Sequence, residues 1–142
     1  MNTLRKLWVP GLLAVVAFCA AAQQTQITKE QAPTTAANSG SEMYMSYCAS
    51  CHGKDAKGNG PAAPALKTAP PDLTALAKRN WGKYPTDRVD GILRGKEVLV
   101  SHGDQIMPVW GPVFRSVSGA HEGVVDLRVT NLNNYLASLQ VK

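Results

Sequence analysis

Cysteine is scarce. The 142 residues hold three, Cys19, Cys48 and Cys51, whereas a disulfide scaffold normally shows four or more. Dense Lys/Arg blocks are missing as well. Fifteen basic residues against ten acidic ones give +5, mildly basic and short of a nucleic-acid-binding tail. No stretch alternates apolar and polar residues as a half-buried strand does, and no internal repeat is present. No apolar run reaches the roughly 20 residues of a membrane span. Apolar residues (44%) and charged residues (18%) stand at ordinary levels, which excludes a collagen-like, wholly disordered or multi-span membrane chain. The length allows one domain with a tail, not a large multidomain enzyme.

The longest apolar run, Leu7 to Ala22, carries no charge, follows Arg5 and Lys6 and ends in Ala20-Ala21-Ala22. That order of charge, apolar stretch and small residues predicts a secretory signal over 1–22, cleaved after Ala22. At 16 residues, broken by Pro10 and Gly11, the run is short for a retained anchor. Acylation of Cys19 would want a small residue before it, where Phe18 stands. Cleavage leaves 120 residues at net +3 with Cys48 and Cys51 as the remaining cysteines. It places them in the periplasm or another extracytoplasmic space. Residues 23–39, rich in Gln, Thr, Ala, Asn and Ser, carry too few large apolar side chains to offset the entropy of ordering and read as a flexible leader.

The domain is expected over 40–142. Ser39 with Glu42 forms a capping-box pattern ahead of Met43, Tyr44 and Tyr47, predicting a helix that runs into Cys48. Gly53 to Pro71 is loop, crowded with Gly and Pro. Asp72 and Thr86 are expected to cap two short helices, the second stopped by Gly95. Residues 96–120 read as loop. Val125, Val129, Leu132, Tyr135, Leu136 and Leu139 then recur at helical spacing, with Thr130, Asn131, Asn133 and Asn134 on the opposite side. The fold class is all-α: about four short helices and long loops, with a thin core. A large apolar cofactor at the centre would fill it.

Cys48-Ala49-Ser50-Cys51-His52 supplies that cofactor, being the C-x-x-C-H signature of haem attachment. Two thiols three positions apart add across the two vinyl groups of one haem c, and the adjacent imidazole becomes the proximal iron ligand. A zinc site would need two more ligands, and His102 and His121 are not spaced for one. A redox disulfide would want a βαβ setting.

With these residues the chain resembles the class I c-type cytochromes over residues 40–142, and Gly40, Tyr44 and Tyr135 match further family landmarks at the crossing of the first and last helices. The resemblance implies a cytochrome c-like bundle, no catalysis, and single-electron transfer between redox partners, as a free carrier or a cytochrome subunit. It also implies a distal thioether from a loop, followed by proline; Met107-Pro108 fits, and His102 is the rival ligand. It implies a backbone carbonyl behind His52, with Gly60-Pro61 and Pro64 as candidates. Trp110 is expected beside the haem or inside the loop. Residues 78–96, with six basic and two acidic side chains, offer either a docking surface for an acidic partner or a plain solvated face. Neither a nucleic-acid partner nor a membrane span after cleavage is expected. The alternative function is a haem that binds peroxide, NO or CO through a displaceable sixth ligand.

Overall fold

The computed structural model describes residues 32–97 and 107–141. The predicted signal, leader residues 23–31, and His102 with Asp104 lie outside the described residues. Among the described residues there is no strand, and no helix is long and apolar enough to cross a membrane.

Ser39 caps α1 (Gly40–Met43), its hydroxyl accepting from the Glu42 N–H at 3.2 Å. The reciprocal half of the box is redirected. Glu42 accepts from the Ala36 N–H at 3.3 Å instead. The helix then widens to a π-turn over Tyr44–Cys48 and resumes as α2 (Ala49–His52). π-turns inside helices concentrate at functional sites. A 3-10 turn at Ala63–Ala65 interrupts the following loop, and a second at Leu73–Ala75 leads into α3 (Leu76–Arg79). Asp72 caps this second 3-10 turn, its carboxylate accepting from the Thr74 N–H at 2.8 Å, while Ala75 precedes α3 without a side-chain bond. Helix α4 (Thr86–Arg94) stops at Gly95, in the left-handed region at φ 75. Thr86 is its first residue rather than its cap; Pro85 holds that place without a side-chain bond.

Helix α5 (Trp110–Val117) falls in the stretch read as loop. Pro112 suggests a break, yet it occupies the third helical position, where N–H groups have no intrahelical acceptor and proline is harmless. Trp110 and Phe114 are the buried face of α5.

Helix α6 (Glu122–Ser138) buries Val125, Val129, Leu132 and Leu136, matching the apolar spacing. Asn133 is buried with them, contrary to the expected polar face. It accepts from the Tyr84 hydroxyl at 2.7 Å and donates to the Thr86 carbonyl at 3.0 Å, so α6 is pinned to α4. Helix α6 also crosses α1, with the Tyr44 and Tyr135 rings 5.5 Å apart. A Cβ on Gly40 would run into the Asn131 carbonyl and the Tyr135 Cβ, so the crossing needs glycine.

Two further ties close the fold. Gln140 accepts from the Ala77 N–H and donates to the Leu73 carbonyl, each at 2.8 Å, fixing the end of α6 to α3. Residues 32–39 fall in the stretch whose composition reads as a leader. Here Thr35 is buried against α6 and accepts from Arg128, because a cation buried in the domain demands an oxygen.

Candidate functional site

Cys48 is buried at the end of the π-turn and Cys51 is half-buried on α2; both are free thiols. Burial, and then the neighbouring Cys51, push the Cys48 thiol up to about 12. Burial thus favours the protonated thiol. His52 ends α2 with 8% of its surface exposed. Burial lowers its pKa, and the bond to Pro71 counters this in part. The neutral imidazole, the form that ligates metals, is favoured.

All four carbonyls of α2 are engaged. Helix α2 ends in carbonyls that the next loop caps in sequence. The Gly53 N–H donates to Ala49, Ala62 to Ser50, Gly60 to Cys51 and Gly58 to His52, at 2.8 to 3.1 Å. The Tyr44 hydroxyl donates to the Gly53 carbonyl at 2.6 Å. Gly53 itself lies at φ 80, ψ 157, a region open in practice to glycine alone. The chain therefore leaves His52 by one route only, and the ring is set by the loop that wraps it.

The carbonyl behind His52 belongs to Pro71, 3.4 Å from Nδ1, long for such a bond. Neither Gly60-Pro61 nor Pro64 supplies it. Gly60 and Ala62 are spent on the α2 backbone. The chain then returns through the Leu73 N–H, which donates to Ala56 at 2.7 Å and brings Pro71 alongside. His52 Nε2 makes no hydrogen bond with the described residues and is left for another acceptor of its lone pair.

Met107 is half-buried, just ahead of α5, and packs at the edge of the core cluster that contains Cys48 and Ala49. Trp110 lies 5.4 Å from the Tyr47 ring and 6.0 Å from Phe114, so it fills the interior of this corner. His121 is exposed at the cap of α6.

Among the described residues no three His, Cys, Asp or Glu side chains converge to chelate a metal ion. The two thiols and the imidazole thus form no metal chelate by themselves. They suit a single group broad enough to span them, with two electrophilic carbons for sulfur and a metal for Nε2. A covalent porphyrin answers to that donor set. Two contributors were hidden from sequence reasoning: the Tyr44 hydroxyl, which a packing role alone does not call for, and the Pro71 carbonyl, placed by a fold-back. A family model described as cytochrome c matches residues 37–140. No curated protein and no solved structure matches the chain.

Proposed function

The chain belongs to the cytochrome c family, electron carriers with covalently bound haem c, and from that premise we propose that it moves single electrons between extracytoplasmic redox proteins. Cys48 and Cys51 take the two thioether links, His52 is the proximal ligand and Met107 the distal one. Bound there, haem c supplies a one-electron iron couple, which His/Met ligation biases toward the ferrous form.

The observation that carries this reading is that all four carbonyls of α2, Ala49 to His52, are bonded by the residues that follow. These bonds hold the segment that carries the thiols and the imidazole, with Nδ1 facing the Pro71 carbonyl and Nε2 unengaged among the described residues. Such fixing suits a carrier, because ligands that do not move keep the cost of each electron transfer low. Pro108 restrains Met107 to extended backbone and steadies its thioether. Cleavage of the predicted signal places the domain outside the cytoplasm. The reading covers a diffusing carrier and a cytochrome subunit alike.

The test is expression of the full chain with haem-maturation factors. Secreted product should carry one haem's mass, and a bare peptide mass overturns the attachment. Met107→Ala should keep the haem, lose the weak long-wavelength sulfur-to-iron band, and bind CO when reduced. An unchanged spectrum removes Met107 from the ligand set.

A further inference from the structure

Helix α3 closes in a Schellman-type turn. The Gly82 N–H donates to the Ala77 carbonyl at 2.8 Å, and the Lys83 N–H donates to Asn80 at 3.0 Å. The Asn80 side chain donates back to the Lys83 carbonyl at 2.7 Å, so the turn is bonded on both sides. The residue just past the cap of such a turn sits in the left-handed region and is usually glycine. Here it is Trp81, at φ 57.

A bulky side chain in that conformation is strained. Packing does not offset the strain, because Trp81 is 99% exposed. The residue therefore weakens its own turn and buries nothing. Its use lies outside the chain.

The charge around it says what kind of surface it meets. Lys78, Arg79 and Lys83 flank it, all exposed, with Asp87 the single acid between 78 and 88; Arg88 on the next helix faces Glu97 at 3.7 Å and does not count toward them. Arg94 is not part of this ring, since Asp90 and Asp126 hold its guanidinium. Arg79 donates to the Asp72 carbonyl, one residue beyond the Pro71 carbonyl that faces His52. The turn and the support of the proximal imidazole thus share one short segment.

We propose that Trp81 is the aromatic anchor of a docking surface for a redox protein with an acidic rim around an apolar centre. This rests on the carrier reading, which requires such partners. Electron-transfer interfaces are small, so one aromatic within a basic ring is a large share of one. Aromatic residues dominate interface energetics, and complementary charge guides the encounter. An anionic bilayer would also attract the ring of charge. Seating there takes several apolar side chains, and this turn presents one.

The experiment compares haem-loaded wild type with Trp81→Gly, Trp81→Asn and Trp81→Phe. Glycine and asparagine suit the left-handed position and remove the ring; phenylalanine keeps a ring. The probes are gold films coated with mixed carboxylate- and methyl-terminated thiols, carboxylate-only films, and phosphatidylcholine/phosphatidylglycerol vesicles. Retention is read from haem absorbance. Both ringless variants should be held about tenfold more weakly than wild type and Trp81→Phe on the mixed film. They should be held equally on the carboxylate film and unfold at the same or higher temperature. Equal retention of all four on the mixed film overturns the proposal. So does a loss confined to vesicles, which assigns the turn to membranes, or a lowered unfolding temperature, which makes Trp81 structural. Retained wild type without reversible voltammetric current sinks the carrier reading, and with it the redox character of the partner.

Discussion

The guanidinium of Arg128 grips Thr35 twice, donating to its hydroxyl at 2.9 Å and its carbonyl at 2.8 Å, across 93 residues of sequence. Its Nε donates to the Ser118 hydroxyl at 3.0 Å. Arg128 is 4% exposed, and no carboxylate pairs with it among the described residues. A buried cation without a counter-charge persists only when its N–H donors are engaged. The network runs on, with the Thr35 hydroxyl 2.9 Å from the Tyr47 hydroxyl, which donates to the Pro33 carbonyl at 2.6 Å. Thr35 therefore donates to Tyr47 while accepting from Arg128. It lies ahead of the stretch that the family model matches.

Thr35→Val keeps the shape and deletes the hydroxyl, stranding one guanidinium donor. Unfolding of the haem-loaded protein in denaturant should show a loss of roughly 1–3 kcal/mol. Thr35→Ser should restore most of it. A valine variant as stable as wild type would mean that residues 32–39 are not held by this network.

How far such features could be read beforehand depends on the range over which they act. The attachment signature, the Ser39 cap, the Gly95 stop and the apolar spacing of α6 are local, and the sequence displays them. Gly40 and Tyr135 were legible through family resemblance, and the close crossing gives both a steric reason. Helix α5 was masked by Pro112, because a proline's effect depends on which turn of a helix it occupies. Asn133 turns inward for Tyr84, 49 residues away. Thr35 docks for Arg128. Pro71 reaches His52 because Leu73 bonds Ala56. Each of these is a polar partnership between distant segments, invisible to periodicity.

Tyr44→Phe isolates the hydroxyl from the ring. The aromatic contact with Tyr135 remains, while the Gly53 carbonyl loses the shorter of its two bonds and keeps the one from the Ala56 N–H at 3.2 Å. The expected cost is about 1 kcal/mol, measured as a shift in denaturant midpoint with unchanged slope. A neutral substitution would assign Tyr44 to packing alone.

Gly40→Ala sets two effects against each other. Alanine in a helix gains about 1 kcal/mol over glycine where space allows. Here the added methyl meets the backbone of α6 at Asn131, which has no flexible end to swing away. Overpacking of this kind costs about 1–3 kcal/mol, so the net sign should be destabilising. A rise in unfolding temperature would show that the two helices separate easily.

The acid limb of stability should carry a contribution from Asp72. Its carboxylate accepts from the Thr74 hydroxyl at 2.6 Å and the Thr74 N–H at 2.8 Å. Chiefly the hydroxyl bond holds its pKa below the ordinary 3.8. A carboxyl depressed in the folded state stabilises it above the unfolded pKa, and that contribution vanishes as pH falls through the folded value. Asp72→Asn caps about as well and does not titrate. The advantage of wild type over the variant should stay level from neutral pH down to about pH 4 and then shrink. Other carboxylates and the iron ligands protonate alike in both proteins, so the difference cancels them. Because Asp72 follows Pro71, the same pH range should loosen the carbonyl that faces His52. A difference that stays flat to the lowest pH measured would show that Thr74 does not hold the carboxylate.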